Sequence, residues 1–496
     1  MNHGAAPPVQ RGLARLALTV VLCYAAVALG LGYWQGLQAQ ALTNDPGDPL
    51  VAALRDGPRG RILDARGTVL AQDATIGGVR VRRYPQPAAE PAVGYWSPTL
   101  GSAGLERAYD ADLSGLAGAS PVDELLRKFG ASATTPLDVV TSLDMRLQAD
   151  AVQLLGQQKG AIVALDPTTG RVLAMASTPS FDPGRIVAPG TGAAYLASLS
   201  APGNASPLLD RATQGHYTPG SVFKMVTAVA GVGSGAITAA TTYPDQPGEE
   251  RSGFVVDGFR VVDGHHDFTG DTALDLIQAT EVSCNIYFAH VGLATGAAAL
   301  RDWARRLGFE APIPFDLPTA ASQVTAGGGP LDGFADDVEL ANAAYGQGTT
   351  AVTPLQMALV AATIADGGTL MRPTLVDAVQ TAGGTVVQHT TPQVWRQVLP
   401  STQDAVLREA MTEAVESAWG QPFAGSAAIP GVATAGKTGT AQLGGSGEPH
   451  AWFIGFAPAA APRIAVAVIV EQGGHGGEVA APLGGQLMGD WLRLGP

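Results

Sequence analysis

At 496 residues the chain is long enough for two or three domains and at least one large core, and 46% hydrophobic with 15% charged residues excludes the disordered class. A net charge of −14 without any cluster of Lys and Arg excludes nucleic acid as a partner, because that binding rests on cations neutralising phosphates. Only four of the 29 basic residues are lysine, at 128, 159, 224 and 437; lysine, unlike arginine, can lose its proton when desolvated, so these positions mark candidate bases.

In chain order, Leu16 to Trp34 is a charge-free run long enough as a helix to span a bilayer core. Arg11 and Arg15 precede it and the next basic residue is Arg55, so the positive-inside rule makes residues 1–15 a cytoplasmic tail, 16–34 a single-pass anchor in the plasma (inner) membrane, and the remainder extracytoplasmic. The small-residue site Ala39-Gln40-Ala41 leaves a cleaved leader as the alternative, and either reading exports the bulk of the chain. A proline-bearing linker over 35–56 leads into short strand-like pieces, Gly60-Arg-Ile-Leu63 and Gly67-Thr-Val-Leu70, which predict a small β-rich module over 57–140.

From 141 to 496 the pattern is that of a large α+β domain. Leu143 to Leu155 has helical apolar spacing, and Gly160–Leu165 with Val172–Met175 reads as a hairpin around Asp166-Pro-Thr-Thr-Gly170. Trp452–Phe456 and Ile464–Val470 are strand candidates, the second buried on both faces, and Leu483 to Leu492 is a candidate closing helix. Cys23 and Cys284 lie in segments that do not meet, so a disulfide-free fold is expected.

Three motifs carry chemistry. Ser221-Val-Phe-Lys224 opens an apolar helical pattern, with the lysine one turn from the serine. A lysine of depressed pKa takes the proton of a serine nucleophile where no histidine serves, and backbone N–H groups at the helix start suit a developing oxyanion. Ser283-Cys284-Asn285 joins two helical stretches; Ser283 is the candidate proton shuttle to the leaving amine and Asn285 the candidate holder of a substrate peptide bond. Lys437-Thr438-Gly439-Thr440 precedes the C-terminal strands and reads as an edge strand for an extended peptide ending in a carboxylate, with the N–H groups of Thr440 and Ser221 as candidate oxyanion donors. Alone, each motif reads more readily as a helix start, a cap or a turn. In the order S-x-x-K, S-x-N, K-T-G they form the set of serine β-lactamases and penicillin-binding proteins, and two of the four lysines occupy its lysine positions.

On these residues, together with Arg59-Gly-Arg-Ile-Leu-Asp64, Gly104-Leu-Glu-Arg-Ala-Tyr109, Gly160–Pro167, Tyr345-Gly-Gln-Gly348 and His450–Phe456, the chain resembles class B penicillin-binding proteins of the short kind without a large pedestal. The resemblance implies a penicilloyl-serine transferase fold, a five-stranded antiparallel sheet flanked by helices, and D-Ala-D-Ala transpeptidase activity on peptidoglycan stem peptides through an acyl-enzyme on Ser221. It further implies inhibition by β-lactams and a membrane partner, a SEDS-family glycan polymerase, contacted through the anchor and the 57–140 module. Cys284 departs from the aspartate of the S-D-N version and removes one possible charge near Lys224. The linker is also less basic than relatives would suggest.

The rival readings are a β-lactamase, for which Glu339 is the candidate deacylating base, a D,D-carboxypeptidase, and a catalytically silent β-lactam-binding scaffold. No G-x-S-x-G elbow or P-loop occurs, and His265-His266-Asp267 in a turn-rich stretch reads as a loop, so neither metal nor cofactor is expected.

Overall fold

Alternation of small and branched apolar residues builds the centre of the molecule. The computed structural model describes residues 18–27, 30, 57–117, 135–263, 267–270, 272–444 and 447–495. Five strands, β1 (Gly160–Leu165), β2 (Val172–Thr178), β3 (Ala435–Ala441), β4 (His450–Ala457) and β5 (Ile464–Val470), pair antiparallel in the order β3-β4-β5-β1-β2. Every residue of β5 is buried, as a strand covered on both faces requires. Its period of two sorts the side chains: Ile464, Val466, Val468 and Val470 join Leu147, Leu487 and Trp491 of the helices Met145–Leu155 and Ala480–Leu494. Ala465, Ala467 and Ile469 face the opposite cluster, where the wholly buried helix Pro354–Ala365 lies. Alanines on that side let the helix approach the sheet, and Thr353 caps its start by accepting from the Gln356 N–H.

Leu487→Ala removes a fully buried side chain from the first cluster and is expected to cost about 3 kcal/mol. Denaturant titration checks this; a loss under about 0.5 kcal/mol would mean that the closing helix is not part of the cooperative core.

A second sheet of six strands runs in the order Val386–His389, Val376–Thr381, Leu137–Thr141, Ile62–Leu63, Val69–Ile76, Val79–Arg83. Ile62 pairs parallel with Val139, and Val139 pairs antiparallel with Val379. The strands anticipated near 60 and 70 therefore share a sheet with a hairpin some 300 residues onward. Beside it Glu106, fully buried, accepts from Arg59 Nε and Nη2 (3.2 and 3.0 Å) and from Arg82 Nε (2.6 Å). Burial pushes its pKa up, but the two guanidiniums outweigh burial and hold the carboxyl below its ordinary value. The Arg59 and Glu106 motifs are thus two halves of one buried ion-pair network. Tyr109 of the same motif donates to Asp316 (2.7 Å), whose other oxygen accepts from the Leu375 N–H.

Contacts divide the chain into one unit of Pro58–Trp96 with Ser102–Pro496 and another of Met1–Gly57 with Ser97–Gly101. In the smaller unit residues 18–27 and 30 are helical and exposed, and Ser97 Oγ accepts from the Leu100 N–H. The expected cytoplasmic tail, the linker over 35–56, the rest of the expected anchor and the pair His265-His266 lie outside the described residues. Among the described residues no helix is long and apolar enough to cross a membrane.

Candidate active site

Ser221 sits in a 3₁₀ turn, Gly220–Phe223, that runs straight into the helix Lys224–Ser234. The turn is clamped on three sides. The Gly220 N–H donates to the Gly346 carbonyl (2.9 Å), Trp452 Nε1 of β4 donates to the Thr218 carbonyl (3.0 Å), and Gly439 of β3 leaves room for Pro219 and Val222. Gly220 has φ +57° and abuts the Thr440 backbone, so the nucleophile turn and the lysine strand meet main chain to main chain.

Lys224, one turn on, is completely buried. Its Nζ donates to the Ser283 carbonyl, to Ser283 Oγ (3.3 Å) and to Asn285 Oδ1 (2.7 Å), and lies 5.7 Å from the centroid of the Phe288 ring. These three acceptors match the three donors of an ammonium. Burial nonetheless disfavours the charge, and despite opposition from Asp263, Cys284 and Glu250 the pKa falls to about 8. Lys437 is 1% exposed and donates to Ser283 Oγ (2.7 Å) and its neighbour's carbonyl at Thr438. Burial, then the nearby Lys224, push its pKa well below the usual lysine value. Ser283 Oγ therefore lies between two lysines, in a residue held at φ +58°, a left-handed conformation that a serine adopts only when its surroundings impose it.

Asn285 begins the helix Asn285–Thr295, and its Nδ2 donates to the Val262 carbonyl (3.1 Å). The N-cap position of that helix is Cys284, not either flanking polar residue: Sγ accepts from the Tyr287 N–H (3.1 Å) and donates to Glu250 Oε1 (3.0 Å). Burial raises its pKa well above the ordinary thiol value, consistent with an inward-packed, unreactive cysteine.

Ser221, Ser283, Asn285, Thr438 and Thr440 line one cleft of about 810 Å³. Both lysines are buried behind it, and Gly439 lies under the nucleophile turn. All eight residues singled out from the sequence are thus brought together, and β3 is the sheet-edge strand anticipated for Lys437. Reading the sequence missed other lining residues: Asp263, Asn342 and His475 come from loops or helix ends remote from the motifs. Tyr345, Gln347 and Gly348 also line it, and their motif had carried a signal as part of the family resemblance. Glu339 is in a different place: its oxygens accept from Thr325 (2.9 Å), Thr349 (2.6 Å) and the Ala335 N–H (2.6 Å), a structural role at a helix start.

Residues 160–489 match the penicillin-binding protein transpeptidase domain, and residues 59–136 match the penicillin-binding protein A dimerisation domain. The chain is 35% identical over 494 residues to the peptidoglycan D,D-transpeptidase PbpA of Mycobacterium tuberculosis H37Rv, covering 95% of this chain and 97% of that protein. Against PbpA of Mycolicibacterium smegmatis the figures are 34%, 97% and 99%. Among solved structures, the ceftriaxone acyl-enzyme of penicillin-binding protein A from M. tuberculosis superposes with a TM-score of 0.76 at 33% identity, covering 88% of this chain and 98% of the other. A serine turn, two buried lysines and a sheet-edge strand around one cleft, within a match spanning most of the sequence, make this chain a member of the penicillin-binding protein transpeptidase family.

Proposed function

We infer that this chain is a peptidoglycan D,D-transpeptidase that cross-links stem peptides through a serine acyl-enzyme and is acylated by β-lactams. The observation that carries the reading is Ser221, on a clamped turn at the cleft, one helical turn from a buried lysine whose proton is loosely held. In the acylation step Lys224, as free base, takes the Ser221 hydroxyl proton while Oγ bonds to the carbonyl carbon of the penultimate D-alanine. Losing one proton costs Lys224 one of its three donations, and the longest, to Ser283 Oγ, is the least costly.

The tetrahedral oxyanion would be received by the N–H groups of Ser221 and Thr440; Gly220, immediately before Ser221, abuts the Thr440 backbone. When it collapses, the C–N bond breaks and terminal D-alanine departs with a proton passed through Ser283, whose oxygen already accepts from Lys437. The amine of a neighbouring stem peptide then attacks the ester carbonyl, forming the cross-link and returning the proton to Ser221. Thr438 and Thr440 contact the donor peptide along the edge of β3, Gly439 lets the nucleophile turn approach, and Asn285 orients the substrate amide. A donor carboxylate at the cleft would favour the protonated form of Lys437 and be drawn by its charge.

The decisive experiment is treatment with a fluorescent penicillin, mapping of the modified residue by mass spectrometry and measurement of adduct lifetime. A long-lived adduct on Ser221 is expected; rapid release would indicate a β-lactamase, and no adduct a silent scaffold.

Lys224→Met is expected to slow acylation at least about 100-fold, since general-base assistance is worth that much or more. In the unaltered protein the rate should rise with pH through about 8 and then level, because Lys224 is a base only after losing its proton and its pKa sits near 8. A flat profile from pH 6 to 10 would transfer the base role to another group.

The enzyme is proposed to work at the outer face of the plasma membrane, anchored by residues 16–34 with its N-terminus cytoplasmic, and beside a SEDS-family glycan polymerase. Supporting this are the charge-free run, the arginines preceding it and the family resemblance.

A further inference from the structure

The central position of the S-x-N motif is Cys284, which carries no charge beside the two site lysines when its thiol is protonated. Elsewhere in the chain another residue brings a carboxylate to the same place. Asp263 follows the short strand Phe259–Val261, lines the catalytic cleft, and reaches the start of the helix Asn285–Thr295: one oxygen accepts from the Asn285 N–H (2.7 Å), the other from the Ile286 N–H (3.0 Å). The side-chain heteroatoms of Asp263, Glu250 and Cys284 lie within 4.8 Å of one another. Lys224 holds Asn285 Oδ1 from the other side, so the carboxylate and the ammonium grip the same residue from its backbone and its side chain.

We propose that Asp263 is a positioning residue for acylation, which fixes Asn285 by its backbone and supplies the negative charge facing Lys224 and Lys437 that an aspartate at position 284 would otherwise provide. The proposal rests on the reading of Lys224 as the base. The groups around Lys224 are Lys437 on β3, Glu250 on the helix Gln246–Ser252, Cys284 and Asp263, with Tyr345, Arg260 and His475 on the cleft walls. Of these, Asp263 is the strongest influence retaining the proton on Lys224, ahead of Cys284 and Glu250, and it acts on Lys437 in the same sense. Removing that charge lowers the proton affinity of both lysines. An aspartate and an asparagine differ little in shape, so Asp263→Asn keeps one acceptor for the helix start while deleting the charge.

The test is the pH profile of acylation of the full chain by a fluorescent penicillin, from pH 5.5 to 10, for the unaltered protein, Asp263→Asn and Glu250→Gln. With Asp263→Asn the rising limb should move toward acid by half a pH unit or more, so that below the limb the rate relative to its own plateau is raised about threefold. Glu250→Gln keeps an acceptor for the Cys284 thiol and removes a charge with less hold on Lys224, so its limb should move less. Asp263 would be a helix cap and nothing more if Asp263→Asn lowered the plateau without moving the limb, or if Glu250→Gln moved the limb as far. A flat profile in the unaltered protein, with Lys224→Met still acylating, would instead overturn the assignment of the base, an outcome distinct from failure of the Asp263 proposal.

Discussion

Ser221→Ala is expected to abolish covalent labelling by fluorescent penicillin, with the acylation rate falling by at least about 10⁴-fold, because no oxygen then occupies the one position framed by the clamped turn and the Thr440 backbone. Stability should change by less than about 0.5 kcal/mol, since the serine hydroxyl faces the cleft and the turn is held by backbone contacts of its neighbours. Ser283→Ala is the comparison: it removes a candidate shuttle and should leave a slower but measurable adduct on Ser221. Labelling that survives Ser221→Ala would show that the nucleophile is elsewhere in the cleft.

A second large effect is expected at a residue that contributes no side chain to the cleft. Gly346 has φ +83°, and a Cβ there would sit 1.9 Å from the Gly220 carbonyl oxygen, the residue immediately before the nucleophile. Gly346→Ala therefore forces the turn to shift as well as straining the backbone, and should cost about 2–4 kcal/mol with a loss of about 100-fold in acylation, the scale set by misplacing a reacting atom by about 1 Å. Gly235→Ala is the matched control. Gly235 ends the nucleophile helix at φ +78° with nothing within 4 Å of its missing Cβ, so alanine there should cost about 1 kcal/mol and leave acylation intact. Equal effects on acylation at both glycines would show that backbone strain, and not the packing of Gly346 on Gly220, carries the loss.

The local patterns of the sequence were legible where one element speaks for itself. Ile464–Val470 is apolar throughout and is a fully buried strand; Gly160–Leu165 and Val172–Met175 form the hairpin their turn residues predict. The eight motif residues were legible because their types and order are rare in combination. Three features were not. Asp263 reaches the site from a loop, and no local periodicity signals a carboxylate that caps a helix 22 residues onward. The Arg59–Glu106 pair was visible only as two separate motifs, because an ion pair between distant segments leaves no mark in either. Ser283 in a left-handed conformation was likewise hidden, since strain of this kind is imposed by the fold around the residue and not by the residue itself.

The six-stranded sheet bears on how the molecule can be divided. Leu137–Thr141 lies between Ile62–Leu63 and Val376–Thr381, so a polypeptide beginning at residue 142 would retain every motif of the cleft yet lose the strand to which Val376–Thr381 is zipped. That strand would then offer a row of unpaired amides and carbonyls to any other chain in solution. The catalytic portion is in this sense a tenant of the N-terminal segment: its self-association, before its chemistry, would report the cut.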